Sequence, residues 1–142
     1  MFTPPQLEQV RKMIESNEGR RSHPYVDTTG RTTIGVGRNL TDNGLTEAEV
    51  DLLFDHDIND ALFYLNNYRW FSDLAPVRQM ACVDMMFNLG PTHFEKFVVM
   101  LAALAVDDWE GAADAILDST WAKQVTSRAY RAARMMRTGV IK

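Results

Sequence analysis

Residues 18–38 read EGRRSHPYVDTTGRTTIGVGR, and the reading of this stretch decides the fold. Its 21 positions hold one Glu, one Asp, four Thr and four Gly, in a chain otherwise rich in helix formers. Tyr, Val, Thr and Ile favour strands, and Asp27-Thr28-Thr29-Gly30 is a turn sequence set between them. A small hairpin or three-stranded sheet is therefore expected from Tyr25 to Val36.

Upstream, Thr3-Pro4-Pro5-Gln6 reads as a helix start, with Thr as N-cap and Leu7, Val10 and Ile14 following at helical spacing. This helix should stop near Glu18-Gly19, where Gly can take the left-handed C′ conformation. Downstream, Thr46-Glu47-Ala48-Glu49 is a capping box, and Val50, Leu53, Phe54, Ile58, Ala61, Leu62 and Leu65 then keep the i, i+3, i+4, i+7 rule. Pro76 opens a segment apolar on most of its circumference that ends at Gly90, expected as the central buried helix. Thr92 to Glu95 repeats the capping-box signature, Asp107 or Asp108 can cap a helix from Trp109 to Leu117, and a last helix should run from Ser127 to Arg137 and end at Gly139. The expected architecture is α+β. A small N-terminal lobe (15–45) with a short antiparallel sheet is joined by a long helix (46–66) to an all-helical lobe (67–142), on which helix 4–17 is expected to pack.

The 142 residues are 46% apolar and 24% charged, the balance of a soluble globular domain with a real core. A single thiol, Cys82, lies in the apolar run MACVDMMF, so no intramolecular disulfide can form and a buried, inert side chain is expected. The eight Met residues read as core filler. His23, His56 and His93 share no ligand spacing, so neither a metal nor a cofactor is expected. MFTPPQLEQVRKM has no apolar stretch of secretory or membrane length, so no signal peptide and no stable membrane insertion are expected. Net charge is −4, unevenly spread: residues 1–118 hold 9 Lys/Arg against 19 Asp/Glu, and residues 119–142 hold 6 against none. That acidic body and the lack of a recognition motif argue against a nucleic-acid partner, and the absence of an extra apolar face favours a monomer.

Two carboxylates nine residues apart mean little by themselves; their positions say more. Glu18 falls at the expected C-terminus of the first helix, where the macrodipole is negative and an anion is disfavoured by about 0.3–1 kcal/mol. Such a placement suits a general acid. Asp27 lies in a polar turn whose hydroxyls and amides can solvate its charged form, which suits a carboxylate that stays ionised. Two carboxyls in contrasting environments are what glycosidic bond cleavage requires. Thr33 fits a strand by propensity alone, yet it flanks the turn opposite Asp27, where the two side chains could hold one water between them.

Glu18-Gly19 followed by Tyr25-x-Asp27-x-x-Gly30-x-x-Thr33-Ile34-Gly35-x-Gly37 resembles the active-site string of the phage-type lysozymes, glycoside hydrolase family 24. Thr46 to Asp57 is similar to the start of that family's interlobe helix, and Met86-Phe87-Asn88-Leu89-Gly90 to the end of its central helix. Trp121, Arg128 and Arg137-Thr138-Gly139 are similar to its C-terminus. The resemblance implies an inverting hydrolase of the β-1,4 bond between N-acetylmuramic acid and N-acetylglucosamine in bacterial peptidoglycan. By position it implies Glu18 as general acid, Asp27 as second carboxylate, Thr33 as the hydroxyl that holds the attacking water, and Arg128 as the partner of the acid. Phe87 and Asn88 resemble residues that face the sugar, and Asn39, where an apolar residue is common, counts with them as substrate-binding. Arg38 replaces the family's usual His and is expected to pair with Asp57, similar to the Asp that holds that His. The acidic body departs from the basic character usual in enzymes that attack anionic walls, and the basic tail is expected to supply capture locally. The resemblance further implies synthesis in the host cytoplasm and action in the periplasm, released by a holin, or carriage on a phage tail or virion. A lytic transglycosylase giving 1,6-anhydro products and a catalytically silent wall-binding module are the competing readings.

Overall fold

A computed structural model describes residues 1–141. Helix α1 spans Pro4–Glu18 and starts as its sequence dictates: Thr3 Oγ1 accepts from the Gln6 N–H and the Gln6 side chain answers on the Thr3 N–H. Gly19 ends it at φ 78°, ψ 173°. That φ is positive as expected, but the extended ψ sends the chain straight into a strand. Strands β1 (Arg21–Val26), β2 (Thr32–Gly35) and β3 (Arg38–Asn39) form an antiparallel sheet in the order β1-β2-β3. Tyr25 lies opposite Thr33, Val26 opposite Thr32, and Thr33 in turn opposite Asn39, with a bulge in β1 between Arg21 and Tyr25. Pro24 sits within that irregular stretch, where its missing N–H costs the ladder least. A four-residue helix, α2 (Leu40–Asn43), follows.

Helix α3 spans Glu47–Leu65, and the capping box at Thr46 forms: Thr46 N–H donates to Glu49 Oε2 (2.8 Å) and Glu49 N–H to Thr46 Oγ1 (3.3 Å). After a 3-10 turn at Phe71–Asp73 come α4 (Pro76–Leu89), α5 (Pro91–Phe94), α6 (Val98–Leu104), α7 (Trp109–Leu117), α8 (Thr120–Val125) and α9 (Ser127–Thr138). The box expected at Thr92–Glu95 does not form. Pro91, with its φ already helical, starts α5 and draws Thr92 into the first turn, and the chain begins a fresh helix at Val98. Asp108, rather than Asp107, caps α7 by accepting from the Gly111 N–H at 2.9 Å. The short α8 had no counterpart in the sequence reading; Ser119 caps it through the Ala122 N–H.

The chain divides into two compact units, the first running from Met1 to Asp51 and the second starting at Leu52, so the division falls inside α3. The second unit holds the core: Leu65, Met85, Phe94, Met100, Leu104, Ile116 and Met136 are fully buried there. Each such side chain contributes about 1.5–3 kcal/mol of hydrophobic stabilisation. Cys82 is buried in α4, and burial pushes its thiol up to about 12, so it is inert at neutral pH. Arg78 fastens the end of α9 by donating from Nε to the Met136 carbonyl (2.8 Å), while its guanidinium lies 4.2 Å from the Trp109 ring centroid. In the basic tail, Arg137 is paired with Glu110 and Asp114, whereas Arg131 and Arg134 stand exposed on the outer face of α9.

Candidate active site

Glu18 is the last residue of α1, whose final turn carries no basic residue. The two-residue turn between β2 and β3 brings Gly37 against it. A Cβ at Gly37 would lie 3.1 Å from Glu18 Oε2 and 3.4 Å from its carboxyl carbon. Gly37 also has φ 74°, in the left-handed region. Bare backbone at this position both makes the turn and leaves room for the carboxyl.

Asp27 opens the β1–β2 loop, half-buried, and its Oδ1 accepts three hydrogen bonds: from the Thr29 N–H (2.8 Å), the Thr29 hydroxyl (2.7 Å) and the Arg31 N–H (2.9 Å). These bonds, the Arg31 N–H first and the Thr29 hydroxyl next, hold the Asp27 carboxyl below the usual carboxylate range. These bonds favour the ionised form of Asp27. Thr33 is 3% exposed, a buried polar side chain on β2, and its hydroxyl donates to the Arg31 carbonyl at 3.1 Å. The same carbonyl accepts the Asp27 N–H at 2.9 Å. Asp27 and Thr33 are thus tied to one residue, Arg31, rather than to each other.

Arg38 does not use Asp57. Its guanidinium forms a bidentate pair with Glu49, at 2.9 and 2.7 Å. The physical reason is reach: Glu49 is already pointed back at the start of α3 by its bond to Thr46, while Asp57 lies eight residues along the same helix, about 12 Å at 1.5 Å per residue. The Arg38 guanidinium, ahead of the Thr46 N–H, pulls the Glu49 carboxyl from 4.5 down to about 2. Because the folded value is the lower one, the pair's stabilisation is present above about pH 4.5 and lost as pH falls toward 2. Between pH 5 and 8 it does not change. An Arg38→His variant should behave oppositely: Glu49 would raise the imidazole's folded value, so the pair stabilises at low pH and is lost as pH rises through that value. Its Tm deficit against wild type is expected to widen from pH 5 to pH 8, and a constant deficit would rule the Glu49 pairing out.

Asn39 caps α2, with Oδ1 accepting from the Asp42 N–H (3.0 Å) and Nδ2 donating to Asp42 Oδ2 (2.8 Å), so its amide is engaged locally. In the helical unit, Phe87 on α4 is 42% exposed and meets Phe54 edge to face, with ring centroids 5.7 Å apart. Asn88 accepts from the Trp121 indole N–H at 2.7 Å. Arg128, expected to pair with Glu18, is instead held by Asp84, from Nε to Oδ2 at 3.0 Å and from a terminal nitrogen to Oδ1 at 2.7 Å. Asp84 sits on α4 one turn before Phe87 and Asn88, on the helix that α9 packs against, and so meets the guanidinium first. A groove of about 640 Å³ runs beside this pair, lined by Phe54, Ile58, Met80, Val83 and Phe87 among others. The sequence placed Thr29 in the polar turn that solvates Asp27, Gly37 in the quoted string and Glu49 in the capping box of α3. The contacts of Gly37 with Glu18 and of Glu49 with Arg38 were not expected, and Arg31 and Asp84 were not singled out. Only Thr29 carried a local signal, the Asp-x-Thr spacing of an Asx turn. Among the described residues no group of three or more metal-ligating side chains is assembled, and no helix is long and apolar enough to cross a membrane.

The family model described as Phage lysozyme matches residues 15–135, a span that takes in Glu18, the whole sheet, Asp84 and Arg128. The chain belongs to the phage lysozyme family. The family is one of peptidoglycan hydrolases, and the α+β architecture above is a lysozyme-like fold. Among curated proteins, the chain is 32% identical over 160 aligned residues to the Pre-baseplate central spike protein Gp5 of Enterobacteria phage T4, covering 90% of this chain and 27% of that one. It is 26% identical to Probable T4-type lysozyme 2 of Dictyostelium discoideum, covering 94% and 96%. Probable T4-type lysozyme 1 of the same organism is 24% identical, covering 93% and 95%. The chain thus spans about a quarter of the spike protein and nearly all of the two lysozymes.

Proposed function

We propose that the protein hydrolyses the β-1,4 bond between N-acetylmuramic acid and N-acetylglucosamine in peptidoglycan, with inversion at the anomeric carbon. Glu18 donates a proton to the leaving oxygen. Asp27, as the anion, activates the attacking water and balances the positive charge that grows on the sugar ring. Thr33, whose hydroxyl shares the Arg31 carbonyl with the Asp27 backbone, orients that water. The observation that carries this reading is the Asp27 carboxyl, whose Oδ1 accepts three donors that favour its anion, in the same unit as Glu18, which ends α1 against the bare backbone of Gly37. Acid and base roles are divided between groups whose surroundings differ.

Mass spectrometry of digested peptidoglycan tests the reaction type. Hydrolysis leaves reducing N-acetylmuramic acid ends, and a product set made up of 1,6-anhydro ends would replace this reading with a lytic transglycosylase. The likeness to a protein named as a pre-baseplate central spike supports a second setting for the same chemistry, wall penetration from a phage particle, beside holin-dependent release. Detection of the chain in purified particles is the expected result for that setting, and its presence only in lysates would assign it to release.

A further inference from the structure

We infer that Thr29 and Arg31 are positioning residues for Asp27: they fill Oδ1 and leave Oδ2 as the oxygen that acts on water and sugar. This rests on the role given to Asp27 above. Three donors converge on Oδ1, whereas among the described residues no donor reaches Oδ2. An Asx turn needs only one such bond. The two additional donors are the Arg31 N–H and the Thr29 hydroxyl, and the direction of the hydroxyl is set from behind, because it accepts from an Arg31 terminal nitrogen at 3.0 Å and sends its own proton to Asp27. The guanidinium is fixed in turn. Its Nε pairs with Asp42, and Asp42 is held by Asn39 at the start of α2. The hairpin is tied to the same helix where the Thr32 N–H donates to Thr41 Oγ1 at 2.9 Å.

A carboxylate turns about a broad, two-fold torsion, so without this brace its two oxygens would exchange places. With it, one oxygen is saturated and the other keeps its lone pairs for the reaction. The charged group that acts on Asp27 is Arg31, itself partly neutralised by Asp42. Asn39, expected to touch substrate, acts in this scheme as the far end of the brace.

The test uses the full chain, with the Asp27 carboxyl followed by carbon-detected NMR titration and turnover followed on soluble peptidoglycan fragments. In Thr29→Val the Asp27 titration should move upward and the acid limb of the kcat profile should move with it. At the foot of that limb kcat should fall about tenfold, the scale of one hydrogen bond to an ionised group, with KM nearly constant. Thr29→Ser should restore the wild-type titration, and Arg31→Met, which removes an exposed side chain, should shift it in the same direction as Thr29→Val. A purely structural turn would lower Tm in these variants while leaving both titration and limb in place, and that result overturns the inference. Asp27→Asn separates the two levels: full turnover in that variant removes the catalytic role of Asp27, while the NMR titration still decides whether Thr29 and Arg31 hold Oδ1.

Discussion

Glu18→Gln is expected to slow the clearing of permeabilised Gram-negative cells by about 10²–10⁴-fold, the range for loss of a general acid. The amide keeps the shape of the carboxyl but has no proton to give. Glu18 is exposed, ends α1 and makes no contact that Gln could not also make against Gly37. Stability should therefore stay within about 0.5 kcal/mol of wild type, as for other surface substitutions. Turbidity and thermal melts on the same preparation separate the two effects. Equal clearing by both proteins would remove Glu18 from the reaction; a large fall in Tm would mean that the lost activity reports unfolding.

Gly37→Ala should have the second largest effect, by two routes. A φ of 74° costs an alanine about 1–2 kcal/mol. The new methyl would also stand 3.1 Å from Glu18 Oε2, close enough that the carboxyl must shift by a few tenths of an ångström. A proton donor displaced on this scale loses rate steeply, because misplacement by about 1 Å can cost about a hundredfold. Clearing is expected to fall about tenfold, more than the stability change would explain at a temperature where the variant remains folded. Circular dichroism at the assay temperature makes that comparison, and activity that merely follows the folded fraction would show that Gly37 serves the turn alone.

The features legible in the sequence were those whose partners lie three or four residues away. The boxes at Thr3 and Thr46 and the cap at Asp108 all connect a side chain to a backbone N–H within one turn, so residue order alone specifies them. Thr92 shows where this fails: a proline one position earlier offered a competing start and won. Arg38 and Arg128 fail for another reason. Each was expected to pair with a residue assigned by position in a family pattern, but a guanidinium goes to whichever carboxylate the packing presents. Glu49 is eleven residues from Arg38, and Asp84 is 44 from Arg128. Nothing local encodes either contact. The placement of Glu18 and Asp27 was readable because one ends a helix and the other opens a turn, both local events. The brace on Asp27 lay in the same turn, in Asp27-Thr28-Thr29-Gly30-Arg31, but showing that three donors reach one oxygen required coordinates.

Among the described residues, every buried apolar side chain lies between Ala61 and Met136, while Met1–Asp51 contributes only Thr33 to the buried set. The residues proposed for chemistry occupy a stretch of chain that supplies none of the apolar mass resisting unfolding. Backbone positions such as Gly37 apart, side-chain substitutions there cost the folding margin that usually limits adaptation less than losses from the buried set would. Such a division of labour lets residues 18–39 vary with little loss of apolar burial, which the second unit continues to supply.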